Sequence, residues 1–144
     1  MHSHEHFMAR CLELARRARN RGEHPCGALV VQDGQVLGEG LEATRQHADV
    51  TFHAEIEALR HARQRTGRAT FEGATLYTTH EPCPMCAYAI RQARFHTVVF
   101  GVEVGTLGSW AGMFPLLQAV GLPWGAPPRV VTGVLVADCR ALRE

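Results

Sequence analysis

No apolar run in this 144-residue chain approaches the ~18–20 residues that a membrane span needs. Its start, MHSHEHFMARCLELARR, has neither an apolar stretch nor a small-residue cleavage site. A cytoplasmic rather than a secreted protein is expected. Charge of one sign is also missing: 15 basic against 14 acidic residues leave +1. So even a balance provides no strong field for nucleic acid or a membrane surface. The densest basic run, ARRARNR at 15–21, spreads its arginines around the outer side of a helix and reads as a solvated face. Cysteine is scarce, odd in number and irregularly spaced, at 11, 26, 83, 86 and 139. With that start, reduced thiols are expected rather than a disulfide framework. Repeats, low-complexity tracts and linkers are lacking too. One domain over residues 1–144 is expected, long enough to bury a real core.

What is present is periodic. Phe7, Met8, Cys11, Leu12, Ala15 and Ala18 recur at three- and four-residue intervals, an amphipathic helix over about 5–20. His2, His4 and His6 precede or open it, in a terminus expected to fray. GALVVQDGQVLGEG reads as a hairpin around Asp33-Gly34, the dipeptide a tight primed turn prefers. HADVTFHAEIEALRHARQRTG predicts a helix from about residue 50, stopped by Gly67. ATLYTT and HTVVFGV are strands. Between them PCPMCAYAIRQARF is a helix whose prolines are tolerable only in its first turn. A glycine- and proline-rich loop follows, with one short helix expected around 115–120. RVVTGVLV is a final strand, and ADCRALRE starts a last helix. The order predicts an α/β three-layer sandwich, α/β/α, around a mixed sheet.

The stretch PCPMC carries the first chemical signal. Cys83 and Cys86 are open to three readings: a disulfide, a thioredoxin-like redox pair, or half of a metal site. The composition disfavours the first. The redox pair normally follows the first strand of its fold, whereas this one follows the third. For a metal, the spacing puts both thiols on one turn at a helix N-terminus, where the dipole favours the thiolate. FHAEIEAL offers the missing half. His53 with Cys83 and Cys86 makes three ligands and leaves one position open, as catalytic zinc requires. Glu55, two residues on, is better placed to reach a water there than to join the tetrahedron. A His-x-Glu alone reads equally as an ordinary helix start; its pairing with PC-x2-C is what points to metal.

In order along the chain, PCGALVVQDGQVLGEG, FHAEIEALR, TLYTTHEPCPMCAYAI and VVFGV resemble the cytidine/deoxycytidylate deaminase superfamily. Within it they are most similar to the branch of tRNA adenosine deaminases and bacterial guanine deaminases, and GTLGSW and RVVTGVLVADCRAL resemble its tRNA-deaminase end. The likeness covers roughly residues 5–142. It implies a mixed five-stranded central sheet and one catalytic Zn2+ held by His53, Cys83 and Cys86. The metal would activate a water, while Glu55 would move its proton to a ring nitrogen and then to the leaving amine. The Ala54 N–H and the carbonyl around Glu81 would lie near substrate. Cys26 belongs near the pocket floor, or is simply a small buried residue. Members of the branch are generally homodimers, and Trp110, Met113 and Phe114 are candidates for that surface, with core packing as the alternative.

Three departures bear on the substrate. Glu42 stands where the family has an asparagine that contacts the base. An ionised carboxylate only accepts hydrogen bonds, so if Glu42 faces the pocket a guanine-like, pterin-like or aminotriazine-like ring is expected before adenine. If it points to solvent, that preference lapses. His80 replaces an apolar residue before EPC, to line the pocket or to end a strand. The basic tail with which tRNA deaminases usually extend the last helix is not in this sequence, which disfavours tRNA as a partner. The leading expectation is thus a zinc-dependent hydrolytic deaminase of a small amino-heterocycle, guanine-like by preference. The alternatives are a tRNA adenosine deaminase making inosine at the wobble position and a non-catalytic zinc-binding module.

Overall fold

The structure, a computed structural model, describes residues 2–143; Met1 and Glu144, the ends of the expected 1–144 domain, lie outside the described residues. Helix α1 (His4–Asn20) lays Phe7, Met8, Cys11, Leu12, Leu14, Ala15 and Ala18 on the sheet. Its terminus is ordered, contrary to the expected fraying. Ser3 caps it by accepting the His6 N–H, and the His4 ring bonds the Tyr77 hydroxyl at 2.8 Å. Strands β1 (Gly27–Gln32) and β2 (Gln35–Leu41) form the predicted hairpin, with positive φ at both Asp33 and Gly34. A one-turn helix α2 (Thr44–His47), which no periodicity announces, precedes α3 (Ala54–Thr66), so α3 starts four residues later than predicted. Gly67 ends it in the left-handed region.

Strand β3 (Thr75–His80), helix α4 (Pro84–Gln92) and strand β4 (Thr97–Val102) form a β-α-β unit; β5 (Arg129–Thr132) and α5 (Val136–Ala141) close the chain. The five strands make one mixed sheet in the order β2-β1-β3-β4-β5, antiparallel through β1 and parallel from β3 onward. Helices α3 and α4 cover one face and α1 and α5 the other, so the predicted three-layer sandwich is observed. The expected strand RVVTGVLV is half as long, because Gly133 turns the chain with φ 83°. No helix forms at 115–120. The Arg91 guanidinium takes the Leu116 and Ala119 carbonyls at 2.6 and 2.9 Å, and Leu117 N–H goes to Ser109, so the bonds a helix needs are diverted. Trp110 is half-buried against Phe100, whereas Met113 and Phe114 are exposed as expected.

Packing of α3 sets the position of everything that follows. A Cβ at Gly38 or Gly40 would fall on the backbone of α3, at Ala58 to Ala62 and Ala54 to Ala58 respectively. Those two glycines, facing the small side chains Ala54, Ala58 and Ala62, let helix and sheet approach closely. Helices α3 and α4 therefore lie on one face with their N-termini at the same end of the sheet.

Candidate metal centre

His53 and Cys83 are the N-cap residues of α3 and α4. At such positions a Ser or Asp side chain normally turns inward to bond the helix's first N–H groups. Here neither side chain caps its own helix. They turn toward each other instead. His53 Nδ1 lies 3.6 Å from Cys83 Sγ and 3.5 Å from Cys86 Sγ. A tetrahedral ion with ~2.0–2.1 Å bonds to nitrogen and ~2.3 Å bonds to sulfur has N···S edges of about 3.5–3.6 Å. The three ligand atoms already stand at that spacing, all within 4.8 Å of one another. The donor set, one imidazole and two thiols, is the one zinc prefers.

Electrostatics support the same fit. A hydrogen bond from Cys86, joined by His53, brings the Cys83 thiol down to about 4. Cys86, next to that thiolate and buried, is pushed up. Hydrogen bonding to Cys83 raises His53 to about 9 against the opposing effect of burial. One negative sulfur is thus ready before any cation arrives, and a cation would draw the second proton from Cys86. Upstream, Asp49 Oδ1 accepts from both the Thr51 N–H and hydroxyl, at 2.8 and 2.7 Å, and fixes the loop that delivers His53.

A cleft of about 280 Å³ opens beside this trio. Glu55 lines it from the first turn of α3, and burial pushes its carboxyl up to about 7. Glu42 is buried and faces the same cleft, not solvent. Its Oε1 accepts the Ala54 N–H at 3.1 Å, so that N–H, expected near substrate, is already engaged. Glu81 lines the cleft too, and its carboxylate accepts N–H groups from Val104, Trp110 and Ala111 at 3.0, 2.9 and 3.1 Å. Cys26 and His80 are brought together: Sγ lies 3.2 Å from Nδ1, both are buried, and both reach the cleft. Burial, with His24 and Arg143 nearby, lowers His80 to about 4.

Sequence reasoning missed His24, Arg143, Val104 and Leu107, which complete the lining. His24 carried a signal, a titratable residue in the same PCG loop as Cys26. Arg143 carried none, because only the fold returns α5 to this edge. The carboxylate role of Glu81 was equally silent, since its three partners come from an irregular loop.

The cytidine and deoxycytidylate deaminase zinc-binding region matches residues 1–102. The chain is 40% identical over 139 residues to a tRNA(Ile)-lysidine synthase of Deinococcus deserti, but spans only 26% of that protein's length against 95% of its own. It is 45% identical over 98 residues to a tRNA-specific adenosine deaminase of Agrobacterium fabrum, covering 68% of this chain and 64% of that one. Among solved structures, one from a study of A-to-I editing by tRNA:A34 deaminases superposes with a TM-score of 0.89 at 35% identity, over 95% of this chain and 98% of that one. A guanine deaminase of Bacillus subtilis superposes at 0.68 with 39% identity, over 71% and 66%. With a profile match over most of its length, a shared fold and a zinc-ready His-Cys-Cys trio, the chain belongs to the cytidine and deoxycytidylate deaminase family of zinc-binding hydrolytic deaminases.

Proposed function

We propose that the protein deaminates adenosine to inosine at the wobble position of a tRNA, with residues 1–144 forming one catalytic domain that works in the cytoplasm as a homodimer. One observation carries this reading: the match to the tRNA:A34 deaminase structure runs nearly the whole length of both chains. It reverses the order set by the sequence, where a guanine-like ring came first. The even charge balance is no obstacle. All 15 basic residues are arginine, the side chain best shaped for two-pronged contact with phosphate; Arg16, Arg17 and Arg19 are exposed on α1 and Arg21 just past its end.

His53, Cys83 and Cys86 would hold the zinc, which when bound supplies a water activated near neutral pH. Glu55 would take a proton from a water in the cleft and deliver it to the ring nitrogen beside the amine-bearing carbon. As the carbon–oxygen bond forms Glu55 would be left unprotonated; it would then take the remaining proton of the new hydroxyl and transfer it to the departing nitrogen. The carbon–nitrogen bond breaks, ammonia leaves and a carbonyl remains. Its buried position keeps Glu55 out of bulk water, and a pKa near 7 suits a group that must both take and give a proton. The adenosine must be splayed from its loop to enter the cleft.

A second reading, deamination of a guanine-like free ring, is favoured by Glu42. Among the described residues only one of its carboxylate oxygens is bound, by Ala54, and the residue faces the cleft as an acceptor. Ammonia release by the zinc-loaded protein separates the two. A tRNA with adenosine at the wobble position should turn over, and Glu55→Ala should keep its zinc and lose at least ~100-fold in rate. Turnover of guanine or related free rings but not of tRNA would overturn the tRNA reading in favour of the second. Equal turnover by Glu55→Ala would remove Glu55 from the mechanism, and no turnover of any substrate would leave a zinc-binding module.

A further inference from the structure

The cleft is divided by chemistry. One side holds Glu42 and Glu55, which accept; the other holds His80, His24 and Arg143, which donate. His80 defines the second side. Thr79 Oγ1 accepts the Gly27 N–H at 3.3 Å and lies 2.8 Å from His80 Nδ1. Cys26, kept a thiol by burial, places its Sγ 3.2 Å from the same nitrogen. Both contacts fall on Nδ1, so that nitrogen is engaged within the fold and Nε2 is the one left over. That Nε2 is buried with no hydrogen-bond partner among the described residues, and His80 is only 5% exposed. A buried polar atom left without a partner is rare in a finished fold. The His24 ring stands 5.8 Å from that of His80 on the cleft side, and Arg143 adds a full positive charge to the same wall.

We propose that His80, His24 and Arg143 form a subsite for sugar–phosphate oxygens of the nucleotide whose base enters the zinc side of the cleft. The amine-bearing ring then meets the carboxylates, and the oxygen-rich, anionic end meets the donors. The inference rests on the nucleotide reading above and deepens it: the unit recognised is a phosphate-bearing nucleotide, not a free base.

Calorimetric binding to zinc-loaded Glu55→Ala, which holds substrate without converting it, tests this with AMP against adenosine and GMP against guanosine. A monophosphate is expected to bind at least ~10-fold more tightly than its nucleoside. That ratio should fall toward one in His80→Leu and in Arg143→Ala, and rise again in Arg143→Lys. The 15N spectrum of His80 should show the Nε2–H tautomer and shift with AMP. An anticodon stem-loop with a methylphosphonate 5′ of the wobble adenosine should bind more weakly than its natural counterpart if the oxygens belong to RNA, and as well as it if only free nucleotides use the subsite. Preference confined to the guanosine pair would keep the subsite and overturn the adenosine reading. Equal affinities within both pairs, no binding of either monophosphate, or a ratio unmoved by both His80→Leu and Arg143→Ala would overturn the subsite.

Discussion

At position 81 one residue links the sheet to the cleft wall. The Glu81 N–H extends the parallel pairing by donating to Val102 O at 2.8 Å, while its carboxylate gathers three N–H groups from residues 104–111. Gly108 lies so close that a Cβ there would overlap the carboxylate. Val104 and Leu107 are thereby held against the cleft one residue before the Pro-Cys that enters α4. His80, next to it, must stay neutral to remain buried. Burial first, then the nearby His24 and Arg143, sets its folded pKa at about 4, below the ordinary 6.5, while Cys26 and Thr79 face the other edge. Above pH 6.5 both folded and unfolded forms are neutral and nothing is lost. As pH falls from 6.5 to 4 the unfolded chain binds a proton that the folded one refuses, at a cost approaching ~3 kcal/mol. Urea unfolding between pH 7 and 4.5 should therefore show a shallower loss of stability in His80→Leu than in the wild type, and parallel curves would contradict a neutral buried ring. Positions 53, 55, 83 and 86 were legible in the sequence because metal ligation demands particular residue types at helix starts. Of the wall formed by His24, His80 and Arg143 only His80 was a candidate, because ordinary donors become a set only when β3, the PCG loop and α5 meet.

Among the elements, α3 and β2 depend most on each other. The hydrophobic period marked the helix and Gly67 its end, and the Asp33-Gly34 turn marked the hairpin. Long periodic elements were legible for that reason. Helix α2 was not: it buries no residue and is held by the Glu23 carboxylate on the Arg45 and Gln46 N–H groups, a contact made across the fold. The 115–120 segment failed in the opposite direction, its apolar residues satisfying the helical pattern while Arg91 took the carbonyls. Gly40 allows a direct test of what positions the metal ligands. A methyl group there meets backbone atoms of Ala54 and Ala58, which cannot move without α3. Gly40→Ala should cost at least ~1–3 kcal/mol by overpacking. It should also weaken zinc affinity, since Ala54 adjoins His53, whereas Gly34→Ala in the hairpin turn should destabilise without altering zinc affinity. Equal zinc affinity in wild type and Gly40→Ala would mean that the loop held by Asp49, not helix packing, sets the ligand.

For the whole molecule, the apolar surface is as uneven as the cleft. Tyr88 is 48% exposed and Phe114 56%, and with Pro84, Pro115 and Leu116 they line an apolar hollow between α4 and a later loop, next to the exposed Met113. An exposed apolar patch of this kind signals an interface more often than a free surface. Pro84 directly follows the ligand Cys83, so a second copy seated there would lie beside the metal site. Tyr88, on the exposed face of α4, is the residue the sequence left out, because a tyrosine at helical spacing reads as core. Trp110, which the sequence included, instead packs on Phe100. Light scattering is expected to give a mass of two 15.9 kDa chains for the wild type. Phe114→Glu would bury a charge at the centre of the contact and should yield monomers. Its circular dichroism and zinc content should stay unchanged, because Phe114 supports nothing in the core. A Phe114→Glu protein that remains dimeric would move the interface elsewhere, and a wild type that is monomeric at tens of micromolar would remove the homodimer altogether.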